Sequence, residues 1–553
     1  MKKLIVYLVV GLMSLSMVGC SSNQVSKNED DKKDEVKNFS VQSSGYGGKL
    51  DLNVKINDGK IEDIIVNEHH ETSVVYDRAF PIIKDRILNG NTPVVDNVTG
   101  ATFTSFAIKS AVADAMRQGG MEVEEISFNT SGEAHTAKNI DDVKTDIVVV
   151  GGGPAGLTAA IAAKEANPNI EVILIEKLDI LSGNGKFDMN FFDLINSKGQ
   201  KDNGREVTKE NFLASISGKE SEARLEAWAD NSNNLDAWLR SINVNLDYPY
   251  GGPTSTSHLA KEEQYAGEVV QAGLEAQALK VGVKIITGTK GNDLVLDGTK
   301  VIGVNVTNNE LETYNIMASF VILATGGYSH NKELLAEYDP GREKFGTSNQ
   351  MGATGDFVSV FKKLGYKIEN MDKYSTFSNV LTPQNHLTGG ADLGFRVDES
   401  GTVVPVELGA KAYYITDKAG YDSFYRIRKH SDAGYYKIAD TIEDLAKELK
   451  VDPAGLKLTI DTHNKNVQDK KEGFENKREF NAEGPYYGAV VNALTHMTKG
   501  GVATNEFSQV LTEDGNVVEG LYAAGEVTSQ TGCYAASVSW GQIAGNHAGN
   551  NMN

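Results

Sequence analysis

Apolar and polar positions divide the chain before any motif is considered. Lys2 and Lys3 precede an apolar run from Leu4 to Val18. Residues 21–40 (SSNQVSKNEDDKKDEVKNFS) then hold almost no apolar side chains. Such a segment buries too little surface to offset the entropy of ordering, so it is expected to be a disordered tether. Strict alternation begins in LDLNVKI (50–56) and IEDIIVN (61–67), two strands joined at Asn57-Asp58-Gly59, a hairpin turn sequence. A helix is expected near 77–89. In a second helix Phe106, Ile108, Val112, Ala115 and Met116 recur near the helical period, with Gly119-Gly120 as the stop and Thr104 or Ser105 as the N-cap. Residues 126–142 read as a linker.

The texture changes at Thr145. TDIVVVGGGPAGLTAAIAAKEANPNIEVILIEK predicts a buried strand, a glycine turn, an alanine-rich helix and a second strand ending in Glu176. Gly151 suits the tight turn, Gly153 lets a pyrophosphate approach the backbone, and Gly156 lets helix and strand pack closely. The pyrophosphate would sit at the positive helix N-terminus, and Glu176 would accept from ribose hydroxyls. With strand, helix, second strand and acid all in place, the pattern reads as dinucleotide binding and does not choose between NAD and FAD. FVILATGGY (320–328), which contains Gly326, and GLYAAGEVT (520–528), which ends beyond Glu526, add two more buried strands with glycine turns.

The formal net charge of −21 argues against nucleic acid or an anionic membrane surface as a partner. No internal apolar run is long enough to span a bilayer. The N-terminal run ending in Gly19-Cys20 resembles a bacterial lipoprotein signal. That resemblance implies lipid on Cys20 and a place at the cell membrane, on its extracytoplasmic face. Cys533 is the one other cysteine, so a lipidated Cys20 leaves no intramolecular disulfide.

With SHNKELLAEYDP (329–340), GATGDF (352–357) and THMTKGGV (495–502), the glycine motifs from residue 143 onward resemble the fumarate reductase and succinate dehydrogenase flavoprotein family. The resemblance implies an α/β fold: a Rossmann-like FAD-binding domain (143–370 and 496–553) split by an α+β cap domain (371–495). It also implies non-covalent FAD held by Gly153, Ala155, Glu176, Asn184, Asp356 and Glu526. Residues 41–125 resemble a small α+β FMN-binding domain, in which a flavin transferase esterifies FMN phosphate to a threonine. The attachment pattern matches Asp96, Thr99, Gly100, Ala101 and Thr102, so covalent FMN is expected on Thr102. His69 to Thr72 resemble a second motif of that domain.

Two flavins in one exported chain suggest electrons passing from a membrane donor through FMN and FAD to the activated carbon–carbon double bond of a small unsaturated acceptor. The arginines expected for a dicarboxylate are missing. HLTGGADLGF (386–395) has none, Arg396 falls in the following strand, and TSQTGCYAASVSWGQIAG (528–545) carries Tyr534 instead. An enoate or enone is therefore favoured over fumarate. Tyr534, His496, Tyr374 and His386 remain as candidates for proton donor or carbonyl polariser. An electron-transfer protein without substrate chemistry, and a flavin dehydrogenase running in reverse, stay open as alternatives.

Overall fold

The computed structural model describes residues 36–124, 126, 136–181, 183–186, 189–390, 393–474, 477–530 and 532–552. The expected signal segment, Cys20 and most of the tether lie outside them.

The N-terminal unit opens earlier than expected. A strand starts at Lys37 (Lys37–Ser44), inside the segment assigned to the tether, because Phe39 and Val41 pack into the core of this unit. It pairs antiparallel with Lys49–Asn57, which forms the expected hairpin with Lys60–His69. The turn places Asp58 and Gly59 at φ 45° and 77°, the left-handed pair that such a two-residue loop requires. Leu50, Leu52, Val54 and Ile56 alternate inward against the helices Ser73–Gly90 and Thr102–Gln118. Fully burying each such side chain stabilises by roughly 1.5–3 kcal/mol. The second helix starts at Thr102 with Ala101 as N-cap, so neither Thr104 nor Ser105 caps it. Both hydroxyls are buried and used elsewhere, as described below.

The large unit is built on a six-stranded sheet, in the order Lys284–Ile286, Val172–Ile175, Ile147–Val150, Phe320–Leu323, Val517–Ala523, Gln509–Leu511. All pairs are parallel except the last. Near-continuous Val, Ile and Leu make both faces of Val172–Ile175, Ile147–Val150 and Phe320–Leu323 apolar, as a covered parallel sheet demands. Within the expected linker, Lys138–Asn139 pairs with Glu312–Met317 of a neighbouring antiparallel sheet.

Helix Pro154–Ala166 follows the first glycine turn and lies against Tyr534–Asn550. Gly541, Gly545 and Gly549 recur every fourth residue on the facing side. A Cβ on each would stand 2.3, 2.1 and 2.6 Å from the carbonyl oxygens of Ala155, Ala159 and Ala163. Two helices can approach this closely only where such small residues meet.

A second six-stranded sheet contains Tyr374–Leu381, Tyr486–Thr498, Lys411–Asp417 and Gly394–Val397. Helices that include Tyr425–Asp432 and Ile442–Leu449 pack on it. The 13-residue strand Tyr486–Thr498 carries the chain back to the large unit, delivering His496, Met497 and Thr498 there.

Candidate active site

A cleft with about 1110 Å³ of non-atom space, its open mouth included, runs along the carboxyl ends of the central strands. Gly151, Gly153, Ala155, Glu176, Asn184, Gly326, Asp356 and Glu526 all line it. Gly156 does not; its role is packing, since a Cβ there would stand 1.9 Å from the Gly151 carbonyl oxygen. Gly151 has φ 117°, and a Cβ on it would meet the Ala324 carbonyl at 2.3 Å.

The residues fit a dinucleotide. Thr325 Oγ1 is buried in the cleft without a protein partner, so a ligand atom would satisfy it. The space in front of Gly326 is open, with nothing within 4 Å of a Cβ placed there. Glu176 stands at the turn and accepts from the amides of Gly152 (2.8 Å) and Leu178 (2.9 Å).

Farther along, Glu526 accepts from the Thr498 amide and hydroxyl, both at 2.9 Å, and from Asn184 Nδ2 at 3.3 Å. Burial raises its carboxyl, against the pull of Thr498 and Asn184. Three distant segments are thereby tied together at one end of the cleft. Asp356 is paired with Lys177 (2.6 Å) and Lys290 (3.2 Å). Burial works to raise its carboxyl, but the two lysines hold it below the usual carboxylate range.

Of the four catalytic candidates, the fold brings two to the cleft. His496 faces it, with Nδ1 2.9 Å from the Ser348 hydroxyl. Burial, with Arg426 nearby, lowers its imidazole to about 4. It is neutral at neutral pH, suited to polarise a carbonyl by an N–H rather than to act as a charged acid. Tyr534 contributes its ring, packed on Phe192 and Gly185, while its buried hydroxyl donates to the Gly267 carbonyl at 3.3 Å. That bond takes the proton the sequence reading offered to a substrate.

The other two stand elsewhere. Tyr374 lies off the cleft with the Arg342 guanidinium 4.0 Å from its ring centroid. His386 is buried where the N-terminal unit meets the cap, its Nε2 donating to the Tyr46 carbonyl. Arg396 does lie in the strand Gly394–Val397, and its guanidinium donates to the Ser378 and Ala410 carbonyls. Sequence reading also missed Arg426 on the helix Tyr425–Asp432. The one signal for it was a basic residue directly following Phe424-Tyr425.

The N-terminal unit meets the rim of the same cleft. The Thr99 amide donates to Asp179 Oδ2 (3.0 Å), and the Asp179 amide donates back to the Thr99 hydroxyl (2.8 Å). Ser105 accepts from the Val98 amide, and Thr104 donates to buried Glu71. Thr102 is different. It is half-buried, and its Oγ1 lies 3.8 Å from the sulfur of Met351. Gln350 and Gly352, on either side of Met351, line the cleft.

Residues 146–539, more than half of the chain, match the FAD binding domain family. The chain belongs to this family. As an FAD binding domain protein it carries a second match, at residues 45–117, to the FMN-binding domain family, in which covalent FMN is typical. It is 27% identical over 510 residues to an NADH:fumarate oxidoreductase of Klebsiella pneumoniae (strain 342), covering 87% of this chain and 54% of the relative. The chain thus spans about half the length of that relative. It is 28% identical over 525 residues to a urocanate reductase of Eggerthella lenta, covering 88% of this chain and 86% of the relative. Among solved structures of the family fold, the open conformation of a flavocytochrome c3 fumarate reductase superposes with a TM-score of 0.63 at 26% identity. It covers 74% of this chain and 78% of that one.

Proposed function

We propose that the protein is an extracytoplasmic, lipid-anchored flavin reductase. It passes electrons from a membrane donor through FMN on Thr102 and FAD in the cleft to the activated carbon–carbon double bond of an organic acceptor other than fumarate. The observation that supports this reading is the contact of Thr102 with Met351, whose neighbours Gln350 and Gly352 line the cleft, so that an FMN carried on this threonine would stand at its rim. The printed activities of the similar fumarate and urocanate reductases support a double bond as acceptor. A flavin transferase would install the FMN, and lipid on Cys20 would hold the chain near its donor.

When bound, FAD supplies hydride to one carbon of the double bond, and a proton drawn from solvent would complete the other carbon. The glycine turns and Glu176 would hold the dinucleotide, and the Glu526–Thr498–Asn184 network would stand as one wall beside it. Neutral His496 offers a hydrogen bond toward the acceptor's carbonyl or carboxylate, where charge develops. No arginine in 386–395 or 528–545 clamps a second carboxylate, which disfavours fumarate.

An anaerobic assay with reduced viologen tests the reading against fumarate, acrylate, cinnamate, urocanate and an enone steroid. A monoacid or neutral enone should oxidise the viologen faster than fumarate does. Oxidation by none of these acceptors would overturn the proposal, and preference for fumarate would overturn its charge argument.

A further inference from the structure

Thr102 lies in the seam between the N-terminal unit and the large unit, and Thr99, Gly100 and Thr102 all touch the large unit. The Asp179 side chain is only 8% exposed. Its Oδ1 accepts from Asn309 of its own unit at 2.7 Å, while Oδ2 takes the Thr99 amide and Arg86 Nη2, each at 3.0 Å. Beside it, Ile180 is buried among the core side chains of the N-terminal unit. A Cβ on Gly100 would stand 3.0 Å from Ile180 Cγ1 and 3.4 Å from Leu178 Cδ1, so the backbone there rests on both residues. Thr102 itself is half-buried, with its hydroxyl turned to Met351. Residues 178–180 therefore form a latch next to the threonine, and Met351 stands at its oxygen.

Esterification needs a different arrangement. The Thr102 oxygen attacks the FMN phosphorus of a phosphoanhydride such as FAD. The P–O bond to the AMP half breaks, and the hydroxyl proton passes to a base of the transferase; nothing is oxidised or reduced. Attacking oxygen, phosphorus and leaving oxygen must lie roughly in line, so a second protein has to present the donor squarely to this hydroxyl. The transferase and the large unit thus need the same face of the N-terminal unit. Once the ester is made, Met351 has to give way. Its unbranched side chain is 48% exposed and adaptable. The latch grips Thr99, Gly100 and Arg86, so it can close on the finished ester.

We infer that the face around Thr102 takes two partners in turn: a flavin transferase while the N-terminal unit stands off the large unit, then residues 178–180 and Met351. The inference rests on Thr102 as the FMN site. Docking withholds the hydroxyl in proportion to the docked fraction, so a weakened seam speeds attachment.

The test uses the full chain produced without a transferase, so that it carries FAD and no FMN, mixed with a purified flavin transferase and FAD. FMN gained by the Thr102 peptide is followed by mass spectrometry. Asp179→Ala, which opens the latch, should raise the initial rate of attachment about 10-fold over wild type, as loss of a buried charged partner shifts docking. Arg78→Ala breaks the pairing with Glu275, leaves residues 99–102 intact, and should raise the rate as well. Lys300→Ala breaks an ion pair within the large unit and should not. If Asp179→Ala does not hold FAD, Arg78→Ala decides alone. A rate at or below wild type in either seam variant that holds FAD would overturn the inference, as would an equal gain in Lys300→Ala; both leave Thr102 as the FMN site. FMN on a peptide without Thr102, or on none in any variant, would instead remove the site assignment, and the inference with it.

Discussion

At residue scale, the hydroxyls from 99 to 105 separate by what each already does. Thr99 and Ser105 accept from backbone amides and Thr104 serves Glu71, while the Thr102 hydroxyl lies against the thioether of Met351. Thr102→Ala should therefore abolish the FMN mass on its peptide in protein co-produced with a flavin transferase, with FAD retained. Label persisting in that variant would move the attachment elsewhere. Tyr534 changes role on the same logic. Its hydroxyl is engaged by the Gly267 carbonyl, so Tyr534→Phe should cost about 1 kcal/mol of stability, read by denaturant titration, and leave turnover near wild type. A drop of about 10²-fold or more would restore it as the proton donor. His496 gives a pH signature. Its imidazole ionises at about 4 when folded against 6.5 in the unfolded reference. Between those values the unfolded chain binds the proton and the native protein does not, so stability falls as pH drops through this window. The Tm of His496→Gln should fall less steeply than that of wild type from pH 6.5 to 4.

At the scale of elements, what was legible in sequence was what contiguous segments dictate. The hairpin at Asp58-Gly59, the fingerprint turn and its acid each depend on residues a few positions apart, and each is where the pattern put it. The start of the helix at Thr102 was misplaced. Side chains favoured as caps, Thr104 and Ser105, are drawn into buried contacts with Glu71 and Val98 that no local propensity contains. Arg426 was invisible for a related reason, because its proximity to His496 arises from a helix of the cap meeting a strand that returns much later in the chain. The displacement of Tyr374 and His386 from the cleft follows likewise from tertiary packing, under Arg342 and against Tyr46 respectively. The helix pair Pro154–Ala166 and Tyr534–Asn550 offers an element-level test. Gly545→Leu would drive a side chain into the Ala159 carbonyl, a contact of 2.1 Å at Cβ alone. Overpacking of this kind costs about 1–3 kcal/mol or more, and the variant should also lose FAD, because Gly153 and Ala155 at the head of the displaced helix line the cleft. Wild-type Tm and full FAD content would show that the helices part without consequence.

Across the whole molecule, the N-terminal unit touches both other parts. Arg78 pairs with buried Glu275 at 2.8 Å and Arg86 with Asp179 at 3.0 Å on the large unit. On the cap, Tyr435 donates to the Gly45 and Tyr46 carbonyls beside His386. Two of these three anchor points are ion pairs, so the double variant Arg78→Ala/Arg86→Ala should loosen docking. Stopped-flow absorbance should then show slower FMN-to-FAD electron transfer with both flavins still bound; an unchanged rate would mean that the cap contact and the Thr99–Asp179 hydrogen bonds suffice without the ion pairs. The glycine–alanine helix pair has a further consequence for how the chain is made. On the ribosome the strand and helix of the fingerprint emerge early, while the helix that covers Ala155, Ala159 and Ala163 is encoded near the other end of the sequence. Until that partner has been synthesised, the apolar back of the fingerprint helix stands open to water. FAD loading is thus a late event in the birth of the molecule, and nascent chains stopped before Tyr534 should be empty of FAD and readily cut by protease.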